Sequence, residues 1–209
     1  MDYVNIHTHK QGEGIYVLDI SLGGNAAAGK LCSLGIHPMF VEQGVEIECL
    51  EEKAAAREIQ AVGESGFDRN SGTDMEVQQR LFEKQVEISE KYTLPLIIHC
   101  VRAFPELIAV YKEKRPRQPW IIHGYDNNSD ILARLLRHGF YISVGKKLVL
   151  PHSNIRQLLP LIPLEQLFIE TDDSDLRIDT LYEEVAKLRG VSLDMLKERI
   201  YENFKKVFG

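Results

Sequence analysis

Eight short apolar runs, each separated from the next by a polar or amphipathic stretch, set the terms for what this chain can fold into. They are Tyr3–His7, Ile15–Ser21, Lys30–Ile36, Ile59–Glu64, Leu94–His99, Trp120–His123, Phe140–Val144 and Leu167–Thr171. Most are unbroken Val/Ile/Leu-rich segments rather than alternations of apolar and polar residues. Such runs suit strands covered on both faces, as in a parallel sheet. Amphipathic stretches supply most of the crossovers. Glu46–Arg57, Asp74–Tyr92, Phe104–Lys114, Ser129–His138 and Ile155–Leu161 follow the third to seventh strands, and Asp179–Arg189 and Leu193–Phe208 close the chain. Ser129 is the expected N-cap of its helix and Gly139 its stop. Eight strands with interleaved helices predict an α/β fold, a compact (β/α)8 TIM barrel; an eight-strand doubly wound sheet is the alternative. The 209 residues are near the lower limit of about 200 for a barrel. The shortage falls on the first βα units. Neither Thr8–Gly14 nor Gly23–Gly29 has the dozen or so residues of a helical crossover.

No repeat, low-complexity segment or linker divides the sequence, so residues 1–209 are expected to form one domain. The net charge is -6, and no Lys/Arg stripe marks a track for non-specific nucleic-acid binding. Cys32, Cys49 and Cys100 are odd in number and form no C-x-x-C, which suits a reducing compartment. No signal peptide is evident, and no apolar run approaches the roughly 18 residues of a membrane span. A cytoplasmic protein with no membrane partner is the expectation.

The residues that carry chemistry cluster at the strand ends. His7 and His9 form H-x-H at the end of the first strand, and residues two apart on a strand face the same way. Glu64 is placed at the end of the fourth strand, His99 of the fifth and His123 of the sixth, and Asp172 follows the eighth. In a TIM barrel the carboxyl ends of the strands are where active sites are built. Core histidines with a merely structural role would instead be scattered along the strands. Four imidazoles and two carboxylates exceed the needs of one tetrahedral ion. Two ions bridged by a carboxylate would use them all.

His7-Thr8-His9, Gly35-Ile36-His37-Pro38, Gly63-Glu64-Ser65-Gly66-Phe67-Asp68, Ile97-Ile98-His99, Ile122-His123-Gly124 and Glu170-Thr171-Asp172 together resemble the TatD family of metal-dependent hydrolases, within the amidohydrolase-like superfamily. The stretch Gln79 to Pro95, with Phe82, Gln85 and Tyr92, and the closing Asn203-Phe204 to Phe208-Gly209 are similar as well. The resemblance implies a hydrolase in which His7, His9 and Asp172 bind a first divalent ion, His99 and His123 a second, and Glu64 both. Asp172 and Glu64 would be catalytic, with Asp172 orienting or deprotonating the attacking water. Family members are phosphoesterases, several with deoxyribonuclease or 3′-to-5′ exonuclease activity, so a phosphate ester, including single-stranded DNA ends, is the implied substrate. Imidazole ligation suits Zn, while the carboxylates also admit Mn or Mg. The alternatives are amidohydrolase-type attack on a carbonyl centre and an idle binding barrel.

The sequence departs from the family pattern in places. Asn5 stands where an Asp commonly precedes H-x-H. After Asp172 the usual Ser-Pro and the Asn-Glu-Pro loop are missing, and the chain reads Asp173-Ser174-Asp175-Leu176. Two further residues are expected to bind substrate. Arg102, three residues after His99, has the planar fork that takes a phosphate, with a surface charge as the plain alternative. His37 lines the site or serves a turn. Asp68 would hold an imidazole or close a turn, and Tyr125 flanks the substrate or simply packs. Lys146 and Lys147 would attract an anion or sit in a solvated loop. His138, His152 and Cys100 are read as free of any metal role.

Overall fold

The computed structural model describes residues 1–21, 29–42 and 45–209. Eight strands are formed: β1 Val4–Thr8, β2 Ile15–Asp19, β3 Leu31–Leu34, β4 Ala61–Asp68, β5 Leu96–Val101, β6 Trp120–Ile122, β7 Tyr141–Val144 and β8 Leu167–Ile169. They follow one another in chain order in a single sheet. The pairs β3–β4, β4–β5 and β7–β8 are parallel. A parallel bridge from Thr8 to Asp172 joins the end of β1 to the end of β8. Helices α1 Ile47–Ala55, α2 Met75–Tyr92, α3 Phe104–Lys114, α4 Ser129–Arg137, α5 Asn154–Leu158, α6 Ile178–Arg189 and α7 Leu193–Phe208 follow the strands from β3 onward. This is the (β/α)8 topology expected from the run pattern, not a doubly wound sheet.

Among the described residues no helix lies between β1 and β2. The geometry permits this. A five-residue strand is about 17 Å long, and six residues of extended chain reach about 20 Å, so His9–Gly14 can return directly. Ile15 N–H then donates to Tyr3 O at 3.0 Å, beside the start of β1. Of the second short gap, Gly23–Gly29, residues 23–28 lie outside the described residues.

Backbone contacts divide the chain into two compact units, Met1–Val17 with Ile122–Gly209, and Leu18–Ile121. The first has a core of Ile6, Phe140, Phe168, Leu181 and Tyr182. The Tyr182 hydroxyl donates to Val4 O and accepts from Val4 N–H, tying α6 to β1. In the second unit Phe67, Phe82 and Trp120 meet edge to face, with ring centroids 5.1 and 5.3 Å apart, the favoured arrangement of aromatic quadrupoles. Helix α2 starts at Asp74, whose side chain accepts from Glu76 N–H, and stops at Thr93 in the left-handed conformation. Two buried glutamines of α2 act as pieces of strand. Gln78 accepts from Asp68 N–H and donates to Asp68 O. Gln85 does the same for Ile36. A side-chain amide satisfies both polar groups of a buried peptide at once, and the two clasps fix the backbone at Asp68 and just before His37.

Two expectations need correction. Asn128, not Ser129, caps α4, because its Oδ1 accepts from Ile131 N–H at 2.9 Å and Ser129 is already helical. Strand β4 does not end at Glu64 but runs on to Asp68. Its glycines allow β4 to approach β5. Gly66 has φ +140, and a Cβ there would collide with the His99 carbonyl. Gly66→Ala should therefore lower the unfolding free energy by about 2 kcal/mol or more. Gly72→Ala, which has open space, should change it by less than about 0.5 kcal/mol. Urea denaturation of the two variants checks this, and matching midpoints would contradict it.

Candidate metal centre

In the first unit, β1 carries His7 into the interior, where it is 0% exposed, and His9 follows just past the strand. His7 and His9 rings lie 5.0 Å apart and His7 and His123 rings 4.8 Å apart, all edge to face. Asp172 meets them from the end of β8, its Oδ1 3.7 Å from His7 Nε2 and 3.5 Å from His9 Nε2. Ligand-type atoms of His7, His9 and Asp172 all lie within 4.8 Å of one another. Asp172 has φ 55, a left-handed conformation that Asp tolerates better than most side chains. Its backbone is pinned on both sides, with Asp172 N–H donating to His7 O and His9 N–H to Asp172 O, each at 3.1 Å. Burial alone would push the Asp172 carboxyl up. Polar contacts from His7 and His9 and the nearby His123 outweigh it and hold the group far below the usual carboxylate range, so it is ionised at any working pH.

His123 has a partner that the sequence reading did not single out. Glu170, 0% exposed, places Oε1 3.2 Å from His123 Nδ1 and accepts from Gly124 N–H at 2.7 Å. With Nδ1 engaged, Nε2 is the nitrogen left to face a ligand. Asn5 explains its own departure from the family pattern. It donates to Thr171 Oγ1 at 2.8 Å and accepts from Thr171 N–H at 3.1 Å. An ionised Asp could only accept.

In the second unit, Glu64 Oε1 lies 2.8 Å from His99 Nδ1 and 3.1 Å from His37 Nε2. These three also offer ligand atoms within 4.8 Å of one another. The pairing of β4 with β5 shifts register between Val62 and Ser65, and such an irregularity re-aims a side chain. Glu64 N–H is held at 2.9 Å by Asp19 Oδ2, a buried carboxylate at the end of β2 that the sequence reading missed. His37 Nδ1 accepts from Met39 N–H at 3.1 Å. The neutral ring therefore carries its proton on Nε2 and donates to Glu64, so His37 lines this cluster as an orienting donor. On the far side of His99, Asp68 Oδ2 lies 2.9 Å from Nε2. Asp68 thus holds an imidazole, the first of its two expected roles.

This donor set fits a divalent cation. A neutral His99 has one ring proton for two carboxylates. Given to Asp68, that proton leaves the Nδ1 lone pair facing Glu64 Oε1, and a cation satisfies both. Carboxylate-backed imidazoles are the usual second layer of such sites.

Of the other expected residues, Lys146 meets a cluster ligand. Arg102 is exposed and has a left-handed φ of 54. Its carbonyl accepts from Arg69 Nε, while its guanidinium has no ion pair among the described residues. Tyr125 is packed, 2% exposed, its hydroxyl donating to Asn128 O. Burial pushes the Cys100 thiol well up, away from the thiolate a metal would take. His138 caps the C-terminus of α4, and His152 is exposed. Lys147 pairs with Asp126 at 3.7 Å, whereas Lys146 reaches Asp172 Oδ2 at 3.1 Å.

A family profile described as TatD related DNase matches residues 20–209. The chain belongs to the TatD family of metal-dependent hydrolases. Among its TatD relatives, the uncharacterized metal-dependent hydrolase YjjV of Escherichia coli (strain K12) is 29% identical over 153 residues, 70% of this chain and 59% of YjjV. In that match the chain thus spans less than two thirds of the relative's length. The 3'-5' ssDNA/RNA exonuclease TatD of Pantoea ananatis (strain LMG 20103) is 27% identical over 198 residues, covering 84% of this chain and 76% of that one. The crystal structure of the YjjV TatD homolog superposes with a TM-score of 0.87 at 22% identity, covering 99% of this chain and 97% of that chain. It carries the fold. No described helix is long and apolar enough to cross a membrane.

Asp68→Ala should weaken Zn2+ uptake about 10–100-fold while leaving a cooperative unfolding transition. Chelator competition measures the affinity. An unchanged dissociation constant would remove Asp68 from the site.

Proposed function

We propose that this TatD-family chain is a phosphoesterase working with two divalent ions, Zn first among Zn, Mn and Mg, on phosphate monoesters and the ends of single strands. The observation that carries the reading is the wiring of the imidazoles, with Asp68 behind His99 and Glu170 behind His123. Such backing fixes tautomer and orientation for a metal ligand and has no purpose in an idle barrel. The family resemblance assigns His7, His9 and Asp172 to one ion, His99 and His123 to the other, and Glu64 to both. Held by these residues, divalent ions would supply a water of lowered pKa and would neutralise charge developing on phosphoryl oxygens. Asp172, ionised throughout, orients the attacking water. His37 donates to Glu64 and keeps its carboxylate turned. Arg102, whose guanidinium has no ion pair among the described residues, offers it to a phosphate, and its left-handed backbone is the kind of local strain found at ligand-contacting positions.

Substrate class rests on chemistry and on relatives together. A TatD relative bears the name 3'-5' ssDNA/RNA exonuclease. In this chain the loop after Asp172 is short and β1 leads to β2 without a helix, so little surface remains to follow a long polyanion. The net charge of -6 adds no long-range attraction. A short footprint follows, with small esters and single-stranded ends preferred over duplex interiors.

Turnover on a nucleotide monoester, a short single strand and a long duplex across a salt series tests this. Each phosphate neutralised adds roughly 0.7–0.9 to the salt slope, so a slope of about two or less is expected. A steep slope with strong preference for long duplex DNA would overturn it. Glu64→Gln should cut turnover on the monoester by orders of magnitude and leave folding intact, and near wild-type turnover in metal-saturated buffer would exclude the bridging role.

A further inference from the structure

We propose that Lys146 is a positioning residue that sets the rotation of the Asp172 carboxylate, with Asp173 as its anchor. The two oxygens of Asp172 have different partners. Oδ1 faces His7 and His9, at 3.7 and 3.5 Å. Oδ2 accepts from Lys146 Nζ at 3.1 Å. The same ammonium donates to Asp173 Oδ1. A carboxylate rotates about one bond, so a fixed donor on Oδ2 fixes the direction of Oδ1.

The lysine itself is placed by a stiff backbone. Gly145 lies against β8, where a Cβ would meet Glu170 O at 3.0 Å and Glu170 Cγ at 3.1 Å. Leu148, two residues after Lys146, is buried and donates its N–H to Gly145 O at 2.9 Å. The neighbouring Lys147 is turned away to Asp126. Asp173 stands where the family pattern has Ser. The chain has thus placed an extra carboxylate beside a metal-type ligand and has a cation bridging the two. Lys146 and Asp173 carry opposite charges, so the pair adds no net charge at this rim, and what it adds is direction.

The inference rests on the reading that His7, His9 and Asp172 hold an ion, and the sign of one measurement separates positioning from charge. Lys146 is a cation close to a cation site. If it acted by charge alone, removing it would tighten metal binding. If it positions Asp172, removing it loosens binding by about 10-fold, the scale of losing an outer partner of a ligand. Zn2+ affinity by chelator competition, and kcat and KM on a nucleotide monoester, are measured for wild type, K146M, K146R and D173N. K146M should bind Zn2+ about 10-fold more weakly and lose kcat with KM little changed. K146R, which keeps a charged donor, should recover most of both. D173N, which leaves the lysine but removes its anchor, should shift in the direction of K146M. The side chain of Lys146 is 41% exposed, so unfolding midpoints should match wild type. K146M binding Zn2+ as tightly as wild type or more tightly overturns the inference, and so does a raised KM at unchanged metal affinity, which would make Lys146 a substrate contact. A wild-type protein that takes up no Zn2+ overturns the metal reading, and this inference with it.

Discussion

The imidazole of His99 lies between two carboxylates, Glu64 on Nδ1 and Asp68 on Nε2, and much of the second unit is arranged to keep it there. A neutral ring serves one carboxylate with its proton and offers the other only a lone pair. Buried carboxylates left without compensation cost several kcal/mol, so the arrangement calls for a cation or a charged ring. The backbone is built to hold this demand in place. Gln78 clasps the peptide of Asp68, Asp19 holds the peptide N–H of Glu64, and Gly66 lets the two strands approach closely enough for the three side chains to meet. Each of these is a polar group or a missing Cβ at a buried position, where error is costly.

The first unit solves a similar problem with β1 and β8. Their ends are joined by the bridge between Thr8 and Asp172, and Asn5 locks Thr171 from the opposite direction. His7, His9 and Asp172 are therefore tied by backbone hydrogen bonds at the ends of β1 and β8, which suits a site that must hold ligand geometry closely. Glu170 gives His123 the same kind of carboxylate backing that Asp68 gives His99. Two orienting carboxylates, two units and one chemical device make a metal role the economical account of residues otherwise hard to bury.

The repeating pattern is legible in the sequence because unbroken apolar runs mark buried parallel strands, and a metal-type side chain at the end of such a run stands out. That is how His7, His9, Glu64, His99, His123 and Asp172 come to notice from residue order alone. What was hidden follows from physics too. Strand β4 outran its expected end because Ser65-Gly66-Phe67-Asp68 does not continue the apolar run, although Gly66 serves close packing against β5. Asn128 was passed over as a cap because the serine beside it fits the same pattern. Asp19 was missed, and Glu170 was noted within a motif but given no role, because a carboxylate inside an apolar run has no periodic signature. Its single trace is the cost of burying it, which implies a partner somewhere else in the chain. The roles of Lys146 and Asp173 depend on side-chain direction across two strand ends, which spacing along the chain does not encode.

A pair of ions with Glu64 between them is the central claim. Anomalous diffraction at the zinc edge, from crystals of the protein loaded with Zn2+, tests it most directly. Two peaks are predicted, one bound by His7, His9 and Asp172 and the other by His99 and His123, with Glu64 oxygens within about 2.0–2.2 Å of both. A single peak, or peaks that leave Glu64 beyond ligand distance of either ion, would contradict it.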